Sequence, residues 1–503
     1  MKFMVIIAEE VKIIDLNSEE LGVSVTQLME NAGAAVAQVV LEHYPKAKSI
    51  AICCGTGNNG GDGMVAARHL ASKDRRIKLI LIGQENKIRT PISKQNFKIL
   101  KQMENSIDII TINDSSKISR MKNDLTDVEL IIDALLGIGI TCEPYEPIKS
   151  AIKALNNANK PIVSVDLPSG MFSDIPKKTK MMVTADLVVT FHDTKPCLTI
   201  EGLKEKTIVK GIGVPPEAEL FAGIGDLQLA IPKRKATSHK GENGTVLVVG
   251  GSIKYSGAPV LASRAALRTG ADLVITCIPE SIANSVRSDS PNMIVRQLEG
   301  DYLTQNHIPE ILEIFKKFDV MVLGPGMSDN PQSLRFVTEI LNQVPTNKPI
   351  VIDADALKAL PENLAILKKK PIVLTPHKGE FKIVFGDVLK EKWQDQIQIV
   401  LEKTKKHSCS VILKGKYDII SNGQKYKINR TGHEGMTVGG TGDVLAGILG
   451  AICAVNSNLF RAACAASYLT GKAGEFAAED FGNSLLATDV IEKIPEVLAQ
   501  IRK

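Results

Sequence analysis

The sequence predicts an α/β protein of two domains, each a three-layer arrangement with helices on both faces of a mainly parallel sheet. Two observations carry that expectation. Short β-rich runs alternate with helical stretches through both halves, the mark of successive βα units. A length of 503 residues also exceeds what one hydrophobic core usually serves. The 44% hydrophobic and 23% charged residues suit a globular chain and carry no signature of disorder, collagen or coiled coil.

In the first half, β-rich runs place strands at Ala51 to Cys54, Lys78 to Ile82, Asp108 to Ile112, Leu130 to Asp133, Ile162 to Asp166 and Leu187 to Phe191. In the second they fall at Val246 to Gly250, Leu273 to Cys277, Val320 to Leu323, Ile350 to Asp353, Ile372 to Leu374 and Val411 to Lys414. Tyr417 to Ser421 and Gln424 to Asn429 flank Asn422 and Gly423, turn chemistry that predicts an antiparallel hairpin. From Gly213 to Gly241 periodicity fades and Pro, Gly and Lys accumulate. A boundary near residue 225 follows, giving domains 1–222 and 225–503. The halves share architecture without a shared motif, and no internal repeat is found.

Sixty-one basic residues against 56 acidic ones leave a formal charge of +5 spread along the chain, with 4% aromatics. A nucleic-acid binder concentrates its basic residues on one face. The runs Lys368, Lys369, Lys370 and Lys403, Lys405, Lys406 read instead as solvated helix ends, and no nucleic-acid partner is expected. None of the 8 cysteines pairs at the two-residue spacing of zinc or redox motifs, which fits a reducing, cytoplasmic setting. The opening MKFMVIIAEE meets Glu9 and Glu10 before any small-residue cleavage site, so no signal peptide is read there. Val444 to Val455, the longest nearly apolar run, is too short to cross a bilayer. No membrane partner is expected, and apolar helices in the first domain suggest a homo-oligomer.

Strand Ala51 to Cys54 runs into GTGNNGGDG and then the helical stretch MVAARHLASK. Glycines bring backbone N–H groups close to a ligand, and a helix N-terminus adds partial positive charge, so this loop suits a phosphate. Alone it is as readily a tight βα turn. Two further strand ends change the balance: DALLGIGITCE opens on Asp133, and VDLPSG places Asp166 and Ser169. Ligands of open α/β sheets lie beyond the carboxyl ends of strands, so three such ends can meet over one site. Either aspartate alone would read as a helix cap.

These strings, with TFHDTKPCL at Thr190 to Leu198 and the closing IGVPPE, resemble the NAD(P)H-hydrate epimerase domain over residues 1 to 222. The resemblance implies a Rossmann-like fold. It implies substrate binding by Asn58, Asn59, Gly60, Gly61 and Asp62, and by Gly137, Ile138, Gly139, Ile140, Thr141, Cys142 and Glu143. It also implies a substrate-contacting carboxylate at Asp166 and potassium held by Asn59, Asp133 and Ser169, hard oxygen donors suited to such a cation. Cys197 stands where this family usually has glycine.

Near the C-terminus TVGGTGD leads into the apolar stretch VLAGILGAICAV. Closely spaced glycines before a helix present amides to an oxyanion, and Asp443 at the helix start can take a proton from an attacking hydroxyl. This is the equipment of phosphoryl transfer, which depends on positioning and charge stabilisation. An N-capping aspartate in a glycine-rich turn is the structural alternative. Together with LKGKYD, TPHKGE, GPGMSDN and the stretch from Val248 to Val274, the motif resembles the ribokinase-like NAD(P)H-hydrate dehydratase domain over residues 225 to 503.

That resemblance implies hydrate contacts at Ala258, Gly326, His377 and Asp443. Adenine-nucleotide contacts fall at Lys414, Gly415, Lys416, Tyr417, Asp418 and Gly442. His433 and Glu434 replace an expected asparagine and proline. The implied activity is repair of hydrated NADH and NADPH: epimerisation in one half, with Asp166 as acid or base, and dehydration in the other. ADP would be the phosphoryl donor, with Mg²⁺ at the dehydratase site and K⁺ at the epimerase site. Two other classes share parts of these motifs, a vitamin or sugar kinase and a non-catalytic binding module.

Overall fold

The computed structural model describes residues 5–501; residues 1–4 of the opening run read for a signal peptide lie outside the described residues. The chain forms two compact units, Met1–Pro215 and Pro216–Lys503. The break falls earlier than the boundary read near 225. The Ala222 amide donates to the Ile428 carbonyl at 2.9 Å, and both Asp226 oxygens hold Lys427 Nζ, at 2.9 and 2.7 Å. Those bonds tie the low-periodicity segment to the second unit.

The first unit contains β1 (Ser49–Cys54), β2 (Arg76–Ile82), β3 (Ile107–Ile112), β4 (Leu130–Ala134), β5 (Ile162–Val165), β6 (Leu187–Phe191) and β7 (Thr207–Lys210). They form one sheet in the order β3-β2-β1-β4-β5-β6-β7, with every neighbouring pair parallel. β1 and β4 are buried along their whole length, as central strands covered on both faces must be. Strand order reverses between them, which opens a crevice at their carboxyl ends. β7 was not expected: its TIVK is half-exposed at the sheet edge and shows neither alternation nor a buried run.

The second unit contains β8 (Thr245–Val249), β9 (Leu273–Pro279), β10 (Ile294–Leu298), β11 (Val320–Leu323), β12 (Ile350–Ile352), β13 (Ile372–Leu374), β14 (Ser410–Leu413), β15 (Asp418–Ser421) and β16 (Tyr426–Asn429). The order is β10-β9-β8-β11-β12-β13-β14-β15-β16. Pairing is parallel up to β14 and antiparallel beyond it. The reversal lies between β8 and β11, again at buried central strands. β10, IVRQL, was likewise not expected, being mostly exposed on an edge. The hairpin turn is longer than predicted, because Asn422 Oδ1 accepts the Gln424 and Lys425 amides and delays β16 to Tyr426.

The apolar stretch at Val444 becomes the helix Thr441–Val455, buried from Val444 to Cys453. Among the described residues no helix is long and apolar enough to cross a membrane.

Candidate active sites

In the first unit the chain leaves β1 at Cys54, turns at residues 55–57 and enters the helix Asn58–Ala71 directly. Asn58 to Gly63 therefore form its opening turns, a correction to the loop read from sequence. Close packing explains the glycines. A Cβ on Gly60 would lie 2.0 Å from the Gly55 carbonyl oxygen, and one on Gly63 would lie 2.6 Å from Ala134 Cβ. No side chain caps this helix at Gly57, so its first amides remain available to an anion.

Asp133, the last residue but one of β4, is fully buried, and two serines satisfy it. Oδ1 accepts Ser169 Oγ at 2.5 Å, and Oδ2 accepts the Ser169 amide at 2.9 Å and Ser164 Oγ at 2.8 Å. Burial pushes this carboxyl above its usual range while the Ser169 bonds oppose the shift. Asn59 Nδ2 is buried with no hydrogen-bond partner among the described residues, and its carboxamide lies 3.2 Å from where a Gly137 Cβ would stand. The structure thus brings Asn59, Gly137, Asp133 and Ser169 to one corner. Asn58 is held aside by Thr90, whose Oγ1 donates to Asn58 Oδ1 at 2.7 Å. Gly139, Thr141, Cys142 and Glu143 are exposed, whereas Ile138 packs on the cluster around Met171.

Asp166 follows β5 with φ 63°, a left-handed conformation that costs a non-glycine residue energy and recurs at functional sites. Its side chain meets Lys195 Nζ at 2.8 Å and accepts Thr190 Oγ1 at 3.0 Å. Lys195 is 2% exposed and also donates to Thr190 Oγ1 and the Phe191 carbonyl. Asp62 is pushed well above the carboxylate range by burial and by the Asp166 and Asp15 charges, with Lys195 opposing. Asp15 rises to about 6, chiefly by burial. Sequence reasoning missed Lys195 and Asp15, which join the site only in space.

Cys197 lies in the short 3₁₀ turn Pro196–Thr199, outside the positive-φ residues, so the backbone there does not demand glycine. Burial pushes its thiol up to about 12, which makes it inert.

In the second unit Gly440, at φ 100°, caps the helix that carries Asp443. A Cβ there would lie 2.6 Å from Leu261 Cδ1. Gly439, Gly440 and Asp443 line a cleft of about 570 Å³ together with Lys254, Tyr255, Ala258, Gly326, Ala354 and Asp355. The cleft wall holds a strained residue as well, Ala354 at φ 50°. Burial, then the Asp353 charge, pushes Asp443 up to about 7, with Lys414 opposing. That value suits a general base at neutral pH.

Lys414 Nζ bonds Asp353 Oδ1 at 2.9 Å and lies 3.9 Å from Glu380 Oε2. Thr375 Oγ1 donates to the same Asp353 oxygen at 2.6 Å. Burial pulls the ammonium down, but Asp353 and Glu380 outweigh it and the net shift is upward. A Cβ on Gly442 would stand 3.3 Å from this nitrogen, so the lysine head reaches the helix start beside Asp443. Asp418, pushed up to about 6 by burial, accepts the Gly415 amide at 3.1 Å and Asn429 Nδ2 at 3.1 Å. It shapes the turn in which Gly415 and Lys416 are exposed; Tyr417 packs on Trp393 with ring centroids 5.6 Å apart.

His377 is not among the cleft-lining residues. Its Nδ1 accepts the Gly379 and Glu380 amides at 3.0 and 3.2 Å, which assigns the neutral ring's proton to Nε2. His433 caps its own turn by accepting the Gly435 amide at 3.1 Å, so histidine does a capping asparagine's work there. Asp353, Asp355 and Glu380 were not singled out from sequence. The available signal was Asp353 directly after β12 and Glu380 in the first turn of the helix Lys378–Phe385 that follows β13.

Comparison with known proteins follows the same division. A family model described as YjeF-related protein N-terminus matches residues 25–197, and one described as NAD(P)H-hydrate dehydratase matches residues 246–496. The bifunctional NAD(P)H-hydrate repair enzyme Nnr of Methanocaldococcus jannaschii is 41% identical over 505 residues, covering 98% of this chain and 94% of its own. The protein of that description from Pyrobaculum aerophilum is 39% identical over 492 residues, covering 97% of each. Among solved structures, a ribokinase-like superfamily protein of Enterococcus faecalis matches with a TM-score of 0.50 at 21% identity. It covers 56% of this chain and 96% of that one, a likeness of fold.

Proposed function

The chain belongs to the family of bifunctional NAD(P)H-hydrate repair enzymes, and from that premise we propose that its first unit interconverts the two hydrate epimers while its second dehydrates the S form to NADH or NADPH. The observation that carries this reading is the cleft in which Asp443, held near neutral pKa, stands beside a glycine-capped helix start and Lys414.

The hydrate bears a hydroxyl on C6 of its reduced nicotinamide ring, and hydroxide leaves poorly because water has a pKa of about 15.7. Asp443 takes the hydroxyl proton as the oxygen attacks the β-phosphorus of ADP, and AMP departs. Amides around Gly440 to Gly442 and the Lys414 ammonium meet the charge on the transferring group. Phosphate, with a second pKa of about 6, is then expelled by the ring nitrogen, and loss of a C5 proton restores the dihydropyridine. The sum is hydrate plus ADP giving NAD(P)H, AMP and phosphate. Mg²⁺ takes one or two carboxylates and fills its shell with phosphate and water; Asp355 and Asp443 are the carboxylates on the cleft wall that would hold it, where it would neutralise nucleotide phosphate charge.

In the first unit, Asp166 assists cleavage of the C6–O bond and re-addition of water to the opposite face. Lys195 and Thr190 fix its orientation, and the upward shift of Asp62 favours its proton-donating form. The buried, unpartnered Asn59 Nδ2 supports a potassium site: nitrogen and oxygen of such an amide are assigned by bonding alone, and turning the amide would put an oxygen donor in its place. Potassium would supply a fixed positive charge that orients substrate.

Eight cysteines without a disulfide, seven of them buried, support a cytoplasmic setting. Exposed Tyr145 and Ile175 on the first unit support self-association. Product analysis with ADP tests the central reading: free phosphate, AMP and a recovered near-ultraviolet absorbance are expected. A stable phosphorylated product would instead identify a vitamin or sugar kinase.

A further inference from the structure

Tyr255 has no part in the chemistry above, yet it is held firmly on the cleft wall. The residue is 54% exposed while its backbone exchanges hydrogen bonds with Ser252 at 3.0 and 3.3 Å, and the intervening Ile253 amide donates to the Asp301 carbonyl at 3.0 Å. Gly326 sits at φ 69°. A Cβ there would lie 3.0 Å from the Tyr255 carbonyl oxygen and 3.1 Å from both Tyr255 Cβ and Ala258 Cβ. Gly326 is therefore required both by its conformation and by the close seat of Tyr255.

A half-exposed aromatic on a fixed backbone offers a large contact surface with only two side-chain angles to order. The ring it meets follows from Asp443. That carboxylate must reach the C6 hydroxyl, so the reduced nicotinamide lies in the cleft that Asp443 and Tyr255 both line. The nucleotide turn from Lys414 to Asp418 contributes none of the cleft-lining residues. Although C6 of the hydrate is tetrahedral, its N1–C2=C3–carboxamide segment stays conjugated and planar, a face that can lie against a phenol ring.

We propose that Tyr255 is the stacking platform for the nicotinamide end of the hydrate, a residue that sets substrate affinity without taking part in proton or phosphoryl transfer. This rests on the dehydratase reading of the second unit. The test uses the full chain with the pure S epimer, varying hydrate and ADP separately. Tyr255→Ala should raise KM for the hydrate about tenfold, with kcat within about twofold of the parent and KM for ADP unchanged. Tyr255→Phe should match the parent, since the ring and not the hydroxyl makes the contact. Tyr255→Leu, which keeps bulk without the π-face, should give a smaller rise in the same constant and serves if the alanine variant does not fold. An unchanged hydrate KM in Tyr255→Ala, a rise confined to ADP, or a Phe variant as impaired as Ala would each overturn the proposal. A parent protein that forms no NADH from the hydrate would instead overturn the dehydratase reading, before any variant is compared.

Discussion

Lys195 Nζ lies 2.8 Å from Asp166 Oδ1 in a site where the lysine is 2% exposed, and its bonds to Thr190 and Phe191 occupy the rest of the ammonium. A buried pair of this kind holds the carboxylate proposed to act on the hydrate in one orientation, at a left-handed backbone conformation. Removing one partner leaves the other charge buried alone, which costs about 3–5 kcal/mol. Lys195→Met should therefore lower the melting temperature of the protein and depress epimerisation together, read by calorimetry and by chromatographic separation of the hydrate epimers.

Asp443 sets a pH dependence with a definite sign. Its folded-state pKa is raised from 3.8 to about 7, so the native state binds the proton more tightly than the unfolded chain, and stability falls as pH rises between those values. As the proposed base it must be ionised, so dehydration should lose rate below about pH 7. Asp443→Asn should abolish dehydration, and it should raise the melting temperature at pH 8 while leaving it nearly unchanged at pH 4. A variant that melts like the parent at both pH values would contradict the shift.

Lys414 opposes the upward shift of Asp443. Lys414→Met leaves Asp353, Glu380 and Asp443 facing one another without the cation, so Asp443 should ionise later. The acid limb of the kcat profile, measured at saturating nucleotide, should move to higher pH. A limb that stays in place would separate Lys414 from the base.

Gly60 has a backbone neighbour that cannot give way. Gly60→Ala would set a methyl 2.0 Å from the Gly55 carbonyl oxygen, where overpacking costs about 1–3 kcal/mol or more. Epimerisation should be lost with a lowered melting temperature, while dehydration of the pure S epimer persists.

The alternation of βα units, the central strands and the two glycine-aspartate motifs were legible in the sequence because buried parallel strands are continuous apolar runs with marked ends. β7 and β10 were not, since TIVK and IVRQL at sheet edges are partly solvated and carry neither pattern. The span Asn58 to Gly63 reads as a loop because glycine disfavours helix, yet tertiary packing of that helix on Gly55 and Ala134 demands the small residues. Lys195 beside Asp166, and Asp353 beside Lys414, are partners only through the sheet. Their separation in the chain, 29 residues in one case and 61 in the other, hides them from any local motif.

The most direct measurement supplies purified protein with mixed NADH hydrate epimers, ADP, Mg²⁺ and K⁺, and follows NADH to completion in the parent and in Asp166→Asn. The parent should recover the whole pool, and the variant should stall once the S epimer is exhausted. A variant that recovers the whole pool at the parent's rate would contradict the account.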